Sequence, residues 1–192
     1  MEQERILHRI ARLVFPHAFA EESVLWPVLR RALPDGEVLT LRVEQEHQEV
    51  NELWTTLEQL PAASPERPVL IDRLTAVLRE DVRDEEDMLL PRLQGAVGGR
   101  RLQALGAAWE AVRRTAPTRP HPVVSRRPPG NALAALPLTI LDRGRDGLDA
   151  LARGSSRLRG PASRASGGLA AAASRVERVG VMRRGEEPPT SR

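Results

Sequence analysis

Two stretches of the chain, HAFAEESVLWPVL (residues 17–29) and DVRDEEDMLLPRL (residues 81–93), share one pattern. Both read x-x-x-x-E-E-x-x-L-x-P-x-L. Glu21 pairs with Glu85, Glu22 with Glu86, Leu25 with Leu89, Pro27 with Pro91 and Leu29 with Leu93, at a constant offset of 64 residues. Proline is costly inside a helix, so its recurrence at one place in two helical patterns points to duplication rather than coincidence. The pattern predicts two helical hairpins related by pseudo-symmetry.

Working outward, the apolar spacing predicts four helices, over about Glu2–Leu33, Glu37–Leu60, Pro68–Leu93 and Gly99–Thr115. PDG (34–36), PAASPERP (61–68) and Gly98-Gly99 punctuate them, and no segment alternates as a strand does. Short connections suit antiparallel neighbours, so residues 1–115 are expected to form an all-α, antiparallel helical bundle.

The apolar stripes of the three long helices carry ionisable side chains. His17 and Glu21 continue the series of Ile10, Val14, Val24 and Val28. His47 lies among Val43, Val50, Trp54 and Leu57, and Asp81 and Glu85 lie among Ile71, Leu74, Leu78 and Met88. Burying an imidazole or a carboxylate costs several kcal/mol, roughly, without a partner or a metal. Residues four apart stack on one helix face, so His17/Glu21 and Asp81/Glu85 can each present two donors to one point. Two histidines and three carboxylates suit iron, manganese or zinc better than copper(I) or calcium. A satisfied polar core is the alternative.

Neighbouring charges read more blandly. Glu22 and Glu86 fall beside the stripe with Glu80, Asp84 and Asp87 on a solvated face, where a supporting role for either glutamate is secondary. Glu44, Glu46 and Glu49 read as surface charge. His8 lies half a helical turn from His17 and should not join it, and His121 reads as a free surface residue. Trp54 is expected to pack in the core close to His47. Pro16 is expected to weaken or kink the helix just before His17.

The 192 residues contain no cysteine, which excludes disulfides and thiolate metal sites, and all 29 basic residues are arginine. No apolar run reaches a membrane-spanning length and no signal peptide is legible, so a cytoplasmic location is expected. Residues 1–114 hold 15 Arg against 20 acidic residues, whereas residues 115–192 hold 14 Arg against 6. Residues 116–192, rich in Pro, Gly and Arg, read as a largely disordered tail with one short helix at 131–153, dispensable for folding. Such a tail could make weak, salt-sensitive contact with nucleic acid or an anionic surface, but it lacks an aromatic stacking platform.

HxxxEExxLxP from His17, EH at residues 46–47 and the second EExxLxPxL from Glu85 together resemble the hemerythrin-like, HHE cation-binding proteins over about residues 3–95. The continuation TAPTRPHP followed by PPGN is similar to the tails of actinobacterial members. The resemblance implies a four-helix bundle around a non-haem di-iron centre, with His17 and His47 as iron ligands and Glu21 and Glu85 as bridging carboxylates. Asp81 stands where the family has a histidine. The family's first helix, with its own histidine, would fall before Met1 by the same offset, so the site is expected to be incomplete. A bare groove left there would favour a homodimer or a filling segment, for which 131–153 is the candidate. The function implied is binding or sensing of dioxygen, a small redox ligand or iron, with no catalytic activity assigned. The alternative is a degenerate, metal-free bundle acting as an interaction module.

Overall fold

The computed structural model describes residues 2–185 and 190. Among these, regular structure is helical throughout. The first rod consists of α1 (Glu2–Ala20), a π-helical turn at Glu21–Leu25 and α2 (Trp26–Ala32). It turns at Gly36, where a Cβ would lie 2.5 Å from the Leu29 carbonyl oxygen, into α3 (Gly36–Gln59). The third rod repeats the first: α4 (Arg67–Asp84), a π-helical turn at Glu85–Leu89 and α5 (Leu90–Ala96). Next come α6 (Gly99–Thr115), α7 (Gly130–Gly154) and α8 (Arg159–Glu177).

The duplicated motif is thus a duplicated backbone device. Pro27 and Pro91 have no N–H to offer the carbonyls four residues back, so the regular ladder cannot run through them. Instead Trp26 N–H bonds the Glu21 carbonyl and Leu90 N–H bonds the Glu85 carbonyl, each five residues back. Both prolines then occupy the first turn of the restarted helix, where a missing N–H costs nothing. Each wide turn begins at the first glutamate of its EE pair. Pro16, by contrast, is buried within an unbroken α1.

Two apolar clusters flank the turns. At one end Leu7, Ala11 and Phe15 of α1 meet Val50, Trp54 and Leu57 of α3 and Leu74 and Val77 of α4. At the other, Trp26, Val28 and Leu29 meet Val43, Leu89 and Leu93, with Leu102, Leu105 and Trp109 of α6 packed against them. The chain's ionisable stripe lies between the two. α6 packs along α1 and its π turn, and so adds a fourth wall after the second repeat.

The C-terminal part departs from the expected disorder. α7 and α8 pack against each other around Val124, Ala134, Leu138 and Ala173. Leucine and alanine recur along α7 and the AAAA run favours α8, so helix propensity and a shared apolar seam outweigh the Gly and Arg content. The connecting segment is tucked in: Ala116, Thr118, Arg119, His121, Val124, Ser125, Arg126 and Arg127 are all buried. Among the described residues no helix is long and apolar enough to cross a membrane.

Candidate metal centre

The five seam residues converge. α1 brings His17, its π turn Glu21, α3 His47, α4 Asp81 and the second π turn Glu85. His17 Nε2 lies 2.9 Å from Glu21 Oε1 and 3.7 Å from Glu85 Oε2. His47 Nε2 lies 3.2 Å from Asp81 Oδ1, 3.6 Å from Glu85 Oε1 and 3.9 Å from Glu21 Oε2. Two donor triads result, His17/Glu21/Glu85 and His47/Asp81/Glu85, each with its donor atoms within 4.8 Å of one another. Glu85 belongs to both.

All of these side chains are buried except that of His17, which is 46% exposed. Trp109 of α6 stands edge-on to it, with ring centres 5.1 Å apart and planes at 86°, and the Arg113 guanidinium lies 5.6 Å from the Trp109 ring centre. The site therefore has one wall that is only partly closed.

Imidazoles and carboxylates in the site shift one another's charge. Burial alone would lower the His17 pKa, but the close Glu21 carboxylate and the facing Glu85 carboxylate outweigh it and push the group up to about 10. His47 follows the same logic: burial opposes its charge, while Asp81, Glu22 and Glu85 hold it well above the usual histidine range. Burial raises Glu21, helped by the facing Glu85 charge and opposed by His17. Glu85 is lowered despite its burial, because both imidazoles face it, at 3.6 and 3.7 Å, and favour its charged form.

Four atoms here are buried without a hydrogen-bond partner: Glu21 Oε2, His47 Nε2, Asp81 Oδ1 and Glu85 Oε1. They face one another only as loose ion pairs, at 3.2–3.9 Å, so a shared cation would serve these buried atoms better than they serve each other. The donor set, two imidazoles and three carboxylates, fits iron, manganese or zinc.

Several surrounding residues differ from the sequence reading. Glu22 is 1% exposed, and its Oε1 lies 2.9 Å from His47 Nδ1. Glu86 has the same local backbone yet stays in solvent, so partners rather than the turn draw Glu22 inside. Glu44, Glu46 and Asp84, expected as surface charge, are buried. Glu44 accepts from Arg30 and Arg127 at 2.7 Å each, and Asp84 pairs with Arg42 at 2.5 Å. His121 is buried too, with Nδ1 2.9 Å from Glu177 and Nε2 3.0 Å from Asp142. Its partners lie on α7, the helix expected at 131–153, and on α8, which the composition did not reveal. His8 stays apart, 3.7 Å from Asp146, as its helical phase predicts. Asn51 donates to the His47 carbonyl at 2.8 Å.

Comparison with known proteins accords with this geometry. Residues 2–93 match the hemerythrin HHE cation binding domain. A "DNA nickase" of Nostoc sp. (strain PCC 7120 / SAG 25.82 / UTEX 2576) is 30% identical over 100 residues, which cover 50% of this chain and 27% of that protein. The aligned segment thus spans about a quarter of that relative's length. No solved structure matches the chain. With the duplicated EE motif and the convergent donors, the match identifies residues 2–93 as a hemerythrin HHE cation binding domain.

Proposed function

We propose that the bundle holds a pair of non-haem iron ions between His17, Glu21, His47, Asp81 and Glu85, and uses them to bind or sense a small redox ligand such as dioxygen. The observation that carries this reading is that two donor triads, His17/Glu21/Glu85 and His47/Asp81/Glu85, meet at Glu85. Glu85 would bridge, because it belongs to both donor triads, and Glu21 faces both histidines. His47 and Asp81 would complete one position, His17 the other. Iron so bound supplies reversible electron transfer and an open coordination position. The chain's own contribution is to fix the donors, exclude water from the His47 side and leave the His17 side accessible. Five side chains cannot fill two coordination spheres, so the partly exposed His17 wall is where an exogenous ligand would enter.

The test is metal analysis of the full chain after anaerobic loading with Fe(II) and gel filtration. Close to two metals per chain are expected, with much of the metal lost in Glu85→Ala and Glu21→Ala and little in Glu86→Ala. Equal metal content in all three variants would sink the reading and favour a metal-free interaction module.

A second reading, metal-dependent nicking of DNA, draws on the name of the Nostoc relative and on the 14 arginines after residue 114. Conversion of supercoiled plasmid to nicked circles, abolished by Glu85→Ala, would support it. Intact plasmid with the metal-loaded chain would exclude it.

A further inference from the structure

The segment after α6 reaches back to the metal centre. Arg126 is buried, and its Nη2 donates to the His121 carbonyl at 2.7 Å and to the Val124 carbonyl at 2.9 Å. Held by these carbonyls, the guanidinium turns Nη1 toward Glu22 Oε1, 3.9 Å away. That same Oε1 lies 2.9 Å from His47 Nδ1. The loop is fixed from both sides: Asn131 Nδ2 donates to the Arg126 carbonyl at 3.1 Å, and His121 N–H donates to Asn51 Oδ1 at 2.8 Å. Asn51 in turn donates to the His47 carbonyl. Two arms of the segment thus grip His47, one through its ring and one through its backbone.

We propose that Arg126 is a positioning residue for His47, acting through Glu22. The proposal rests on the metal-site reading above. A ring that ligates through Nε2 must carry its proton on Nδ1 and point Nε2 at the other donors. Glu22 is the acceptor that holds the Nδ1 proton. A buried carboxylate needs a counter-charge, and Arg126 supplies one from the side opposite the site. Because its Nη2 is tied to backbone carbonyls, the arginine fixes where Glu22 sits as well as balancing it. The bundle therefore takes part of its ligand geometry from a segment about 80 residues downstream of His47, outside the matched family domain.

The test uses the full chain and two readouts. The first is affinity for Mn(II), a probe metal, measured by competition with a chelator. The second is solvent exchange of the His47 Nδ1 proton, followed by NMR in protein labelled at histidine nitrogen. Arg126→Met keeps most of the side-chain length without the charge, Arg126→Lys restores a charge, and Arg127→Met removes a neighbouring buried arginine that bonds Glu37 and Glu44. Arg126→Met should lower affinity about tenfold, the low end for residues that orient a metal-binding histidine. It should also speed the Nδ1 exchange about tenfold, as loss of about 1.4 kcal/mol of local protection implies. Arg126→Lys should recover most of both, and Arg127→Met should change neither. Unchanged affinity and exchange in Arg126→Met would overturn the proposal. So would lost affinity with unchanged exchange, which would mean another route to the site. If Arg126→Met fails to fold, Arg126→Lys against the wild type decides: a weaker affinity with faster exchange supports the proposal, and no difference in exchange overturns it. If the wild-type chain binds no metal, the metal-site reading falls, and exchange in the metal-free chain still decides whether Arg126 acts on His47.

Discussion

Glu22 Oε1 lies 2.9 Å from His47 Nδ1, both side chains being almost wholly buried, while the repeat partner of Glu22, Glu86, lies in solvent. Duplication gave both repeats the same local sequence, but a histidine faces only one of them. Glu22→Ala should therefore cost about 10–100-fold in metal affinity, as removal of a histidine-orienting carboxylate does. Glu86→Ala should leave affinity unchanged. A chelator-competition titration of both variants measures this, and equal losses would show that the Glu22–His47 contact has no special role.

Trp54 anchors the apolar cluster below the site. It is buried, and its ring meets Phe15 edge-on, with centres 5.4 Å apart and planes at 80°. Trp54→Ala should destabilise the chain by roughly 3–5 kcal/mol. Denaturant unfolding followed by circular dichroism reads the effect, and a change under about 1 kcal/mol would mean that the cluster collapses onto the cavity without penalty.

These two residues mark what a single sequence can and cannot reveal. The buried position of Trp54 and the inward face shared by His17, Glu21, His47, Asp81 and Glu85 were legible, because each occupies a periodic position on its own helix, and the 64-residue offset matched the depth of His17 and Glu21 to that of Asp81 and Glu85. The helix boundaries followed from Pro and Gly punctuation, although the π turns did not. Glu22 was misplaced because its burial depends on His47 and Arg126, distant in sequence and without any periodic signature. The same holds for Glu44, which owes its burial to Arg30 and Arg127. His121 looked solvated because it sits between prolines, and its carboxylate partners arrive only when α7 and α8 pair. Composition gauges how much apolar surface a segment can bury. It does not register polar side chains that dock through matched charges.

The His121 cluster gives the docking of the C-terminal helices a pH dependence. Burial alone would lower the His121 pKa, but hydrogen bonds to Asp142 and Glu177 outweigh burial and raise it. A histidine raised in the folded state stabilises that state fully below its unfolded value of about 6.5. The stabilisation is lost as pH rises through the raised folded value. Glu58, Arg119 and Arg145 share this charged neighbourhood, so the comparison must be with a variant rather than with pH alone. The Tm difference between wild type and His121→Asn should be largest below about pH 6.5 and shrink toward alkaline pH. A difference constant from pH 5.5 to 9, about the range over which histidine charge responds to its surroundings, would show that folding does not shift the His121 pKa, and one that grows with pH would show that the imidazolium does not form in the folded chain.

The last prediction concerns removal of everything after Thr115, which the Pro- and Arg-rich composition suggested would leave the bundle intact. The contacts argue otherwise. Glu44 is fully buried and bonded by Arg30 from α2 and by Arg127 from the downstream segment, and burial raises its pKa. Truncation removes Arg127 and leaves a carboxylate facing one arginine. It also strips Arg126 from Glu22 and the His121 N–H from Asn51. Breaking a buried ion pair from one side costs about 3–5 kcal/mol when the remaining charge stays buried, and water entering the vacated groove offsets part of that. The truncated chain should therefore melt at least about 5 °C lower than the full chain. A second substitution separates lost charge pairing from lost packing. In the full chain Glu44→Gln breaks the bonds to two arginines and should destabilise. In the truncated chain the same change relieves a poorly paired charge, so its cost should shrink or reverse. Thermal unfolding of the four proteins closes the cycle. Equal melting of the full and truncated chains would show that the bundle is indifferent to its C-terminal segment, and an equal cost of Glu44→Gln in both would show that Arg127 does not stabilise Glu44.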